Sequence, residues 1–401
     1  MKAAPDGAFL SRTELYLFAA ASAVVTASAY YIHPIISVVA EDFGISAAMI
    51  GLVPALNQIA LALGIFLLLP LGDRVSNKRL VSIFVAGQFA CICVMALARD
   101  YWLFVAGSTL LGFVTIAPYL LPAYVSKRVP SAKLGKSTAV LTVGIIAGIL
   151  VARAGAGVIA EHFGWRAVYY VAAALMLCVT FMLPLIMEPA KPGKGQDKKL
   201  SYLELIFSTF PLAWRYPEII LTGTIQAMSF GVFLSVWMGL GLHLTSPQMG
   251  YGVDVVGYLA LFSLINLLTT ASLGAWADRV GARKARLVIA TVQIFGVSLL
   301  FFTGHSLLLL MIPIVLMNVA GPIIDVTNRM TFLNQSQDVR TRLMTIYIIF
   351  MFVGGGIASW AGTAAYDWLG WQGNAALAFG LSAVTLLISW ISVLKHGTGK
   401  A

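Results

Sequence analysis

The chain has 401 residues, of which 60% are hydrophobic and 10% are charged. Soluble domains are about 45–50% apolar and about 25% charged, so a soluble fold could not bury this much apolar surface. The formal net charge of +10 lies in short loops between apolar runs and forms no continuous basic face, which argues against nucleic-acid binding. We therefore expect an all-α polytopic membrane protein.

Twelve apolar runs follow one another along the chain. Each has about 20 residues, the length that crosses roughly 30 Å of hydrocarbon at 1.5 Å per residue. The predicted spans are 15–39, 47–71, 80–98, 102–125, 137–160, 166–187, 219–243, 254–277, 287–304, 307–332, 343–366 and 372–394. The first run exceeds the apolar core of a signal peptide, about 7–15 residues, so we expect it to be retained as a span.

The Lys and Arg residues divide unequally between the two sides of this arrangement. Placing both termini on one side puts 23 of the 26 Lys and Arg residues there and leaves Arg99, Arg153 and Arg166 elsewhere. By the positive-inside rule that side is the cytoplasm. The predicted location is the cytoplasmic (inner) membrane, with both termini in the cytoplasm.

Two basic loops, 205 residues apart, indicate an internal repeat. The first contains Asp73, Arg74, Lys78 and Arg79, and the second contains Gly274, Asp278, Arg279, Gly281, Arg283 and Lys284. A Gly-Trp pair also recurs, at Trp165 and at Trp371. Motifs that recur at a fixed spacing indicate a duplicated structural unit. Because each half has six spans, an even number, both halves enter the membrane from the same side and the repeat is parallel. We predict an N-terminal six-helix bundle at 1–187, a cytoplasmic linker at 188–218 and a C-terminal six-helix bundle at 219–401.

These features together resemble the major facilitator superfamily, whose members are twelve-helix secondary transporters. The family's loop between the second and third spans has the form Gly-x-x-x-Asp-Arg-x-Gly-x-Arg-Lys. The second loop matches it closely, whereas Leu69 and Ser76 replace the glycines of the first. The segments 69–74 and 30–34 resemble the efflux branch of drug:proton antiporters and sugar exporters. The resemblance covers essentially the whole chain and implies export of a small organic solute by alternating access, coupled to protons.

Two departures from that branch concern proton coupling. Many of its antiporters carry an Arg in the fourth span four residues before a Gly, and the matching residue here is Ser108. The fifth-span signature has Gly-Pro followed by Gly-Gly, where this chain has Gly144, Gly148 and then Ile149. An uncoupled facilitator and an uptake carrier are therefore alternatives, and a non-transporting sensor is a third.

Arg153 in the fifth span is the most specific prediction of a functional residue. It lies eight residues before Glu161, about 12 Å deeper at 1.5 Å per residue. A charge near the bilayer centre costs at least about 2.5–3.5 kcal/mol on insertion scales. Because the equivalent residue in the second half is Ser359, the charge is not part of the repeat. We expect an anion-binding or coupling residue facing the central cavity, with a structural ion pair or an outward-snorkelling Arg as the alternative.

Other polar residues within the spans are weaker candidates for substrate binding or coupling. Asp325 lies four residues before Arg329, so it is either a coupling carboxylate or one partner of a local salt bridge. His33 could titrate with an outside proton gradient or could be a hydrogen-bonded core residue. Further candidates, each with interhelical packing as its alternative, are Tyr30, Asn57, Gln58, Gln226, Trp237, Asn266 and Asn328.

The aspartates of the two basic loops are predicted to take part in gating. Asp73 and Asp278 lie at helix ends, where a carboxylate accepts hydrogen bonds from loop amides or pairs with Arg. Simple topogenic charge is the alternative. The five histidines have no paired metal-ligand spacing, so no metal, cofactor or enzyme activity is expected. The predicted partners are a small-molecule substrate, protons if transport is coupled, and lipid; a monomer is expected.

Overall fold

The computed structural model describes residues 9–73, 75–130, 133–188, 202, 206, 209–332 and 336–397. Within these ranges every regular element is a helix. Ten of the described helices are long and apolar enough to cross a membrane, and a bent pair of helices makes an eleventh crossing. The large apolar side chains exposed on these helices, such as Leu185, Phe302 and Leu308, form the kind of surface that lipid solvates.

The membrane spans are numbered in chain order. Spans 1 to 6 are Arg12–Phe43, Ala47–Gly72, Asn77–Leu97, Tyr101–Ser126, Leu134–Phe163 and Trp165–Ile186. Span 7 is Pro217–Leu244, span 8 is the bent pair Val253–Leu264 and Thr269–Val280, span 9 is Ala282–Thr303 and span 10 is Leu307–Met330. A short helix, Thr209–Arg215, precedes span 7.

The last described helix contains two spans. It runs from Gln337 to Gly397, 61 residues, or about 92 Å at 1.5 Å per residue, far more than one membrane crossing needs. Gly370 interrupts it with φ 62° and ψ −150°. Span 11 is therefore 337–369 and span 12 is 371–397, so each of the twelve predicted spans corresponds to a helical segment. The all-α fold class is confirmed.

Two spans are broken near their midpoints by proline. Span 1 consists of Arg12–Ala27 and Ile32–Phe43, and span 4 consists of Tyr101–Val114 and Ala117–Ser126. Pro34 has no N–H to donate to the carbonyl four residues earlier, which is that of Tyr30. The break therefore leaves Tyr30 in a turn inside span 1, an irregular backbone of the kind that membrane proteins place beside a cavity or inside the protein.

The Gly-Trp repeat has similar backbone geometry in both places. Gly164, before span 6, has φ 80°, and Gly370, before span 12, has φ 62°; glycine adopts such angles without steric cost. The tryptophans that follow are both buried. The indole of Trp371 donates a hydrogen bond to the carbonyl of Leu300 at 2.8 Å. The repeated sequence therefore makes the same sharp turn twice.

The loops gather at two ends of the helical bundle. We call the end with the first basic loop the basic end and the other the opposite end. At the basic end the amide of Leu10 donates to the carbonyl of Arg128 at 3.0 Å. At the opposite end Arg166 pairs with Asp42 at 2.9 Å.

Spans from the two predicted bundles pack closely toward the opposite end. A Cβ on Gly157 of span 5 would lie 2.6 Å from the carbonyl oxygen of Val253 in span 8, and a Cβ on Gly356 of span 11 would lie 2.7 Å from that of Ala55 in span 2. Only glycine permits such backbone approach. Glu161 Oε2 also accepts a hydrogen bond from the Val253 amide at 3.0 Å. These contacts join spans 5 and 8 and spans 2 and 11.

Candidate functional site

Arg153 is buried between spans 1, 5 and 7, with 1% of its surface exposed. Its Nη2 atom lies 2.8 Å from Nδ1 of His33. The rings of Tyr30, Phe233 and Trp237 have their centroids 5.1, 4.9 and 4.7 Å from the guanidinium carbon, within cation–π range. We call these five residues the Arg153 cluster. It joins side chains of both predicted bundles.

The break in span 1 positions two members of this cluster. The amide of His33 donates to the carbonyl of Tyr30 at 3.2 Å, which closes a turn in place of the regular helical bond. The two rings meet edge to face with centroids 5.1 Å apart. Because the turn keeps both side chains on the same side of span 1, both reach Arg153 on span 5.

Three donors in the Arg153 cluster are buried without an acceptor. They are Nε of Arg153, Nε2 of His33 and Nε1 of Trp237. Arginine is a donor only, so His33 Nδ1 must be the acceptor and the neutral ring carries its proton on Nε2. Among the described residues Arg153 forms no ion pair. Its guanidinium is also buried, so the described part of the chain gives Arg153 neither an ion-pair partner nor an outward-snorkelling position.

Asp325 lies in a second polar cluster, within span 10 and span 11. Its Oδ1 atom is 2.9 Å from Nε of Arg329 and accepts a hydrogen bond from the Tyr347 hydroxyl at 2.7 Å. The Arg329 guanidinium carbon lies 5.3 Å from the Tyr347 ring centroid. The local salt bridge that the spacing of Asp325 and Arg329 predicts is present, and Tyr347 is an additional partner that the spacing does not reveal.

Arg286 in span 9 is a fully buried cation whose burial the sequence does not predict. Its Nη1 donates to Oδ1 of Asn328 at 3.0 Å and its Nη2 to the Ser392 hydroxyl at 2.8 Å. Asn328 Nδ2 in turn donates to Oε1 of Gln226 at 3.3 Å. These four residues form the Arg286 network. In the sequence Arg286 follows Arg283 and Lys284 and resembles ordinary loop charge; only packing distinguishes it.

Tyr119 of span 4 follows the break in that span, where its amide donates to the carbonyl of Ile116 at 3.0 Å. Tyr119 follows Pro118 at the break of span 4, just as Tyr30 precedes Pro34 at the break of span 1. Each of the two irregular segments therefore carries a tyrosine beside the break.

The remaining polar candidates occupy interhelical contacts. Asn57 Nδ2 donates to the carbonyl of Ser108 at 2.7 Å and ties span 2 to span 4. Gln58 is buried beside Gly356 of span 11, and its Oε1 atom has no hydrogen-bond partner. Oδ1 of Asn266, at the bend of span 8, is also unpartnered. Gln58 and Asn266 thus keep unpartnered polar atoms, and so does Asn57 at its Oδ1 although its Nδ2 links two spans.

The first basic loop is described in part. The backbone of Asp73 ends a 3₁₀ turn that begins at Leu69, and Arg74 lies outside the described residues. The Ser76 hydroxyl accepts a hydrogen bond from the Arg79 amide at 3.4 Å and caps span 3. The backbone of Lys78 accepts one from the Ser82 hydroxyl. The described hydrogen bonds of this loop are therefore local ones.

The second basic loop turns sharply between spans 8 and 9. Gly281 has φ 94°, and Asp278 and Arg279 occupy the last turn of span 8, while Gly274 lies one turn earlier in the same helix. Arg283 Nε is 3.4 Å from Glu218 Oε1 at the start of span 7. Lys284 lines a surface cleft at this end together with Arg283. The ion pair links the start of span 7 to the start of span 9.

Comparisons with known proteins agree with this architecture. The family model of the Major Facilitator Superfamily matches residues 18–336 and 219–400. The uncharacterized transporter YgaY of Escherichia coli O157:H7 is 26% identical over 382 residues, covering 95% of this chain and 96% of that protein. The multidrug resistance protein MdtG of Escherichia fergusonii is 26% identical over 235 residues, covering 57% and 55%.

A solved structure has a similar fold. It is a bacterial homologue of the human lysosomal transporter Spinster, crystallised in an inward-facing and unoccupied conformation, with a TM-score of 0.76 at 14% identity. The match covers 97% of this chain and 98% of that one. At this identity the likeness concerns the fold alone.

Proposed function

Because the chain belongs to the major facilitator superfamily, and is therefore a multi-pass transporter of a small molecule rather than an enzyme, we propose that it exports a small organic solute across the cytoplasmic membrane in exchange for protons. Export is supported by the likeness to MdtG, which is named as a multidrug resistance protein. The alternatives are an uncoupled facilitator and an uptake carrier, with a non-transporting sensor as the third.

In this proposal two bundles rock against each other. They are 1–187 and 219–401, and the linker 188–218 joins them. The observation that carries it is the Arg153 cluster. Arg153, Tyr30 and His33 come from the first bundle, whereas Phe233 and Trp237 come from the second. Separation of the bundles at the opposite end would take the two aromatic rings away from the guanidinium. A solute bound beside the Arg153 cluster would then be accessible from the side of the membrane at the opposite end.

We assign the basic end to the cytoplasm because of its Lys and Arg content. The contacts of Gly157 with Val253 and of Gly356 with Ala55 then close the outer side. This corresponds to the inward-facing state named for the Spinster homologue. The basic loops, with Asp73 and Asp278, would stabilise the state in which the inner side is closed.

Asp325 is the proposed proton carrier. In its charged form it pairs with Arg329 and accepts from Tyr347. Protonation removes the charge that Arg329 requires, so the pair would loosen when the proton binds. That change would be transmitted to span 11 through the Tyr347 hydroxyl, which donates to the same carboxylate. His33 is less suited to carry the proton, because its Nδ1 already accepts from Arg153.

Reconstitution into liposomes tests the proposal. Vesicles that contain a trapped pH indicator are given a proton gradient, and a broad panel of organic solutes is added. A transported solute is expected to dissipate the gradient, and Asp325→Asn is expected to abolish proton movement while solute exchange without a gradient persists. Asp42→Asn, which changes an aspartate paired with Arg166 at the opposite end, is the control and should retain proton movement.

Three results distinguish the alternatives. Solute flux without proton movement indicates an uncoupled facilitator. Proton movement in the same direction as the solute indicates an uptake carrier. Ligand binding without flux under any gradient indicates a sensor and contradicts the transport mechanism.

A further inference from the structure

We infer that the Arg153 cluster binds the carboxylate of an aromatic organic anion. The inference names the substrate class for the proposed transport function and rests on that function. The carboxylate would lie against Arg153, and the aromatic body would lie along the rings of span 7.

The first argument is charge. Arg153 is 1% exposed, and among the described residues no carboxylate pairs with it. A buried cation without a counter-charge is strongly unfavourable, and cation–π contacts with three rings compensate for only part of the lost hydration. An anionic ligand would supply the missing charge, and a carboxylate can engage a guanidinium with two parallel hydrogen bonds.

The second argument is the set of unused donors. Nε of Arg153, Nε2 of His33 and Nε1 of Trp237 are buried and lack acceptors, and each belongs to a side chain that surrounds the same guanidinium. A cationic ammonium group has no acceptor for these donors, and a neutral carboxamide offers a single acceptor oxygen. A carboxylate has about four lone-pair sites and no donor, so it is complementary to all three.

The third argument is a row of aromatic rings that begins at the cluster. Phe230, Phe233 and Trp237 lie on one face of span 7, and the rings of Phe230 and Phe233 are stacked with centroids 5.9 Å apart. Phe352 of span 11 meets Phe230 edge to face at 5.8 Å. Phe230 and Phe233 are half-buried. The row extends from Arg153 toward the basic end and offers faces on which a flat apolar body can stack.

Comparison with Arg286 shows that burial alone does not create this arrangement. Arg286 also has an unpartnered Nε, but both of its Nη atoms donate to oxygen acceptors, Asn328 and Ser392. In the described part of the chain, Arg153 has a single imidazole acceptor and pairs with no carboxylate. The protein thus satisfies Arg286 internally and leaves Arg153 to be satisfied by a ligand.

His33 is a positioning residue in this site. Its Nδ1 accepts from Nη2 of Arg153 and so fixes the plane of the guanidinium. Glutamine at this position can accept through its amide oxygen and donate through its amide nitrogen, whereas leucine can do neither. His33→Gln is therefore expected to keep the preference for carboxylates, and His33→Leu to weaken it.

The test compares negatively charged, neutral and positively charged ligands that share the same aromatic body. Calorimetric titrations of the purified full chain use benzoate, phenylacetate and naphthoate, the carboxamide of each acid and the corresponding amines. The carboxylates are expected to bind about 10- to 100-fold more tightly than their carboxamides, the difference that a charged hydrogen bond makes, and the amines more weakly still. Equal binding of acid and amide, or no binding of either, overturns the inference.

Variants show which residue produces the preference for carboxylate over carboxamide. Arg153→Gln is expected to remove the preference for carboxylate over carboxamide, and Arg153→Lys to retain part of it. Arg166→Gln, the same change at the Asp42 ion pair, should leave the preference unchanged. Phe233→Leu is expected to weaken acid and amide together while preserving their ratio. A carboxylate preference that survives in Arg153→Gln places the anion elsewhere and contradicts the inference.

Failure of this inference and failure of the transport proposal give different results. Carboxylate binding that depends on Arg153, without flux in liposomes, sustains the site and contradicts transport. Flux of neutral or cationic solutes that is unaffected by Arg153→Gln sustains transport and contradicts the assignment of the substrate class.

Discussion

The two buried arginines, Arg153 in span 5 and Arg286 in span 9, differ in the partners that surround their guanidinium groups. Arg286 is held by Asn328 and Ser392 in a network confined to one predicted bundle. Arg153 has one imidazole partner and three aromatic neighbours, and the rings come from both predicted bundles. A satisfied buried charge stabilises the fold it belongs to, whereas an unsatisfied one costs stability and calls for a functional explanation.

The largest difference in stability is expected when each of these two arginines is replaced by methionine, a side chain of similar length. Arg286→Met leaves the side chains of Asn328 and Ser392 without their donor and should destabilise the protein by about 2–3 kcal/mol. Arg153→Met removes an unpaired buried cation and should be neutral or stabilising, by up to about 2 kcal/mol. Thermal unfolding in detergent measures both variants. A loss of stability in Arg153→Met as large as that in Arg286→Met would make Arg153 a structural residue.

The next comparison concerns two glycines on the same helix. A Cβ on Gly157 would lie 2.6 Å from the carbonyl oxygen of Val253, whereas a Cβ on Gly155 would meet nothing within 4 Å. Gly157→Ala should therefore push span 5 away from span 8 and cost about 1–3 kcal/mol. Gly155→Ala should be neutral or stabilising by up to about 1 kcal/mol, because alanine favours the helix.

Calorimetric unfolding of the two alanine variants tests the close approach of the predicted bundles. Equal stability of Gly155→Ala and Gly157→Ala would contradict the tight contact between spans 5 and 8.

A smaller effect is expected at the carboxylate in span 10. Asp325→Asn keeps an acceptor for the Tyr347 hydroxyl but removes the charge that faces Arg329. Because that pair is partly exposed, with side-chain exposures of 26% and 32%, the loss should be only about 1 kcal/mol. Chemical denaturation measures it. A loss as large as that of Arg286→Met would show that the pair is chiefly structural.

The smallest effect is expected at the ion pair of the opposite end. Arg166 and Asp42 have side-chain exposures of 34% and 40%, and exposed pairs contribute between zero and about 1 kcal/mol. Arg166→Gln should therefore unfold at nearly the same temperature as the native protein and show little dependence on salt. A marked loss would mean that this pair, rather than span packing, holds the opposite end together.

The fold follows largely from the sequence, and the candidate site follows only in part. Arg153 is predictable because a charge inside a long apolar run is costly wherever the helix lies. The Asp325–Arg329 pair is predictable because residues four apart on one helix are neighbours. Phe233 carries no such signal, since one more aromatic residue in an apolar span is ordinary, and Arg286 is hidden among loop charges.

The sequence by itself determined the number of spans, the parallel repeat of its motifs and the presence of an isolated charge at Arg153, because hydropathy, repeat spacing and charge within an apolar run are local properties. Only the tertiary structure decided which partners that charge has. His33 lies 120 residues from Arg153, and Trp237 belongs to the other predicted bundle, so their meeting depends on how the helices pack. The same packing gave acceptors to Arg286 and left the donors around Arg153 without them.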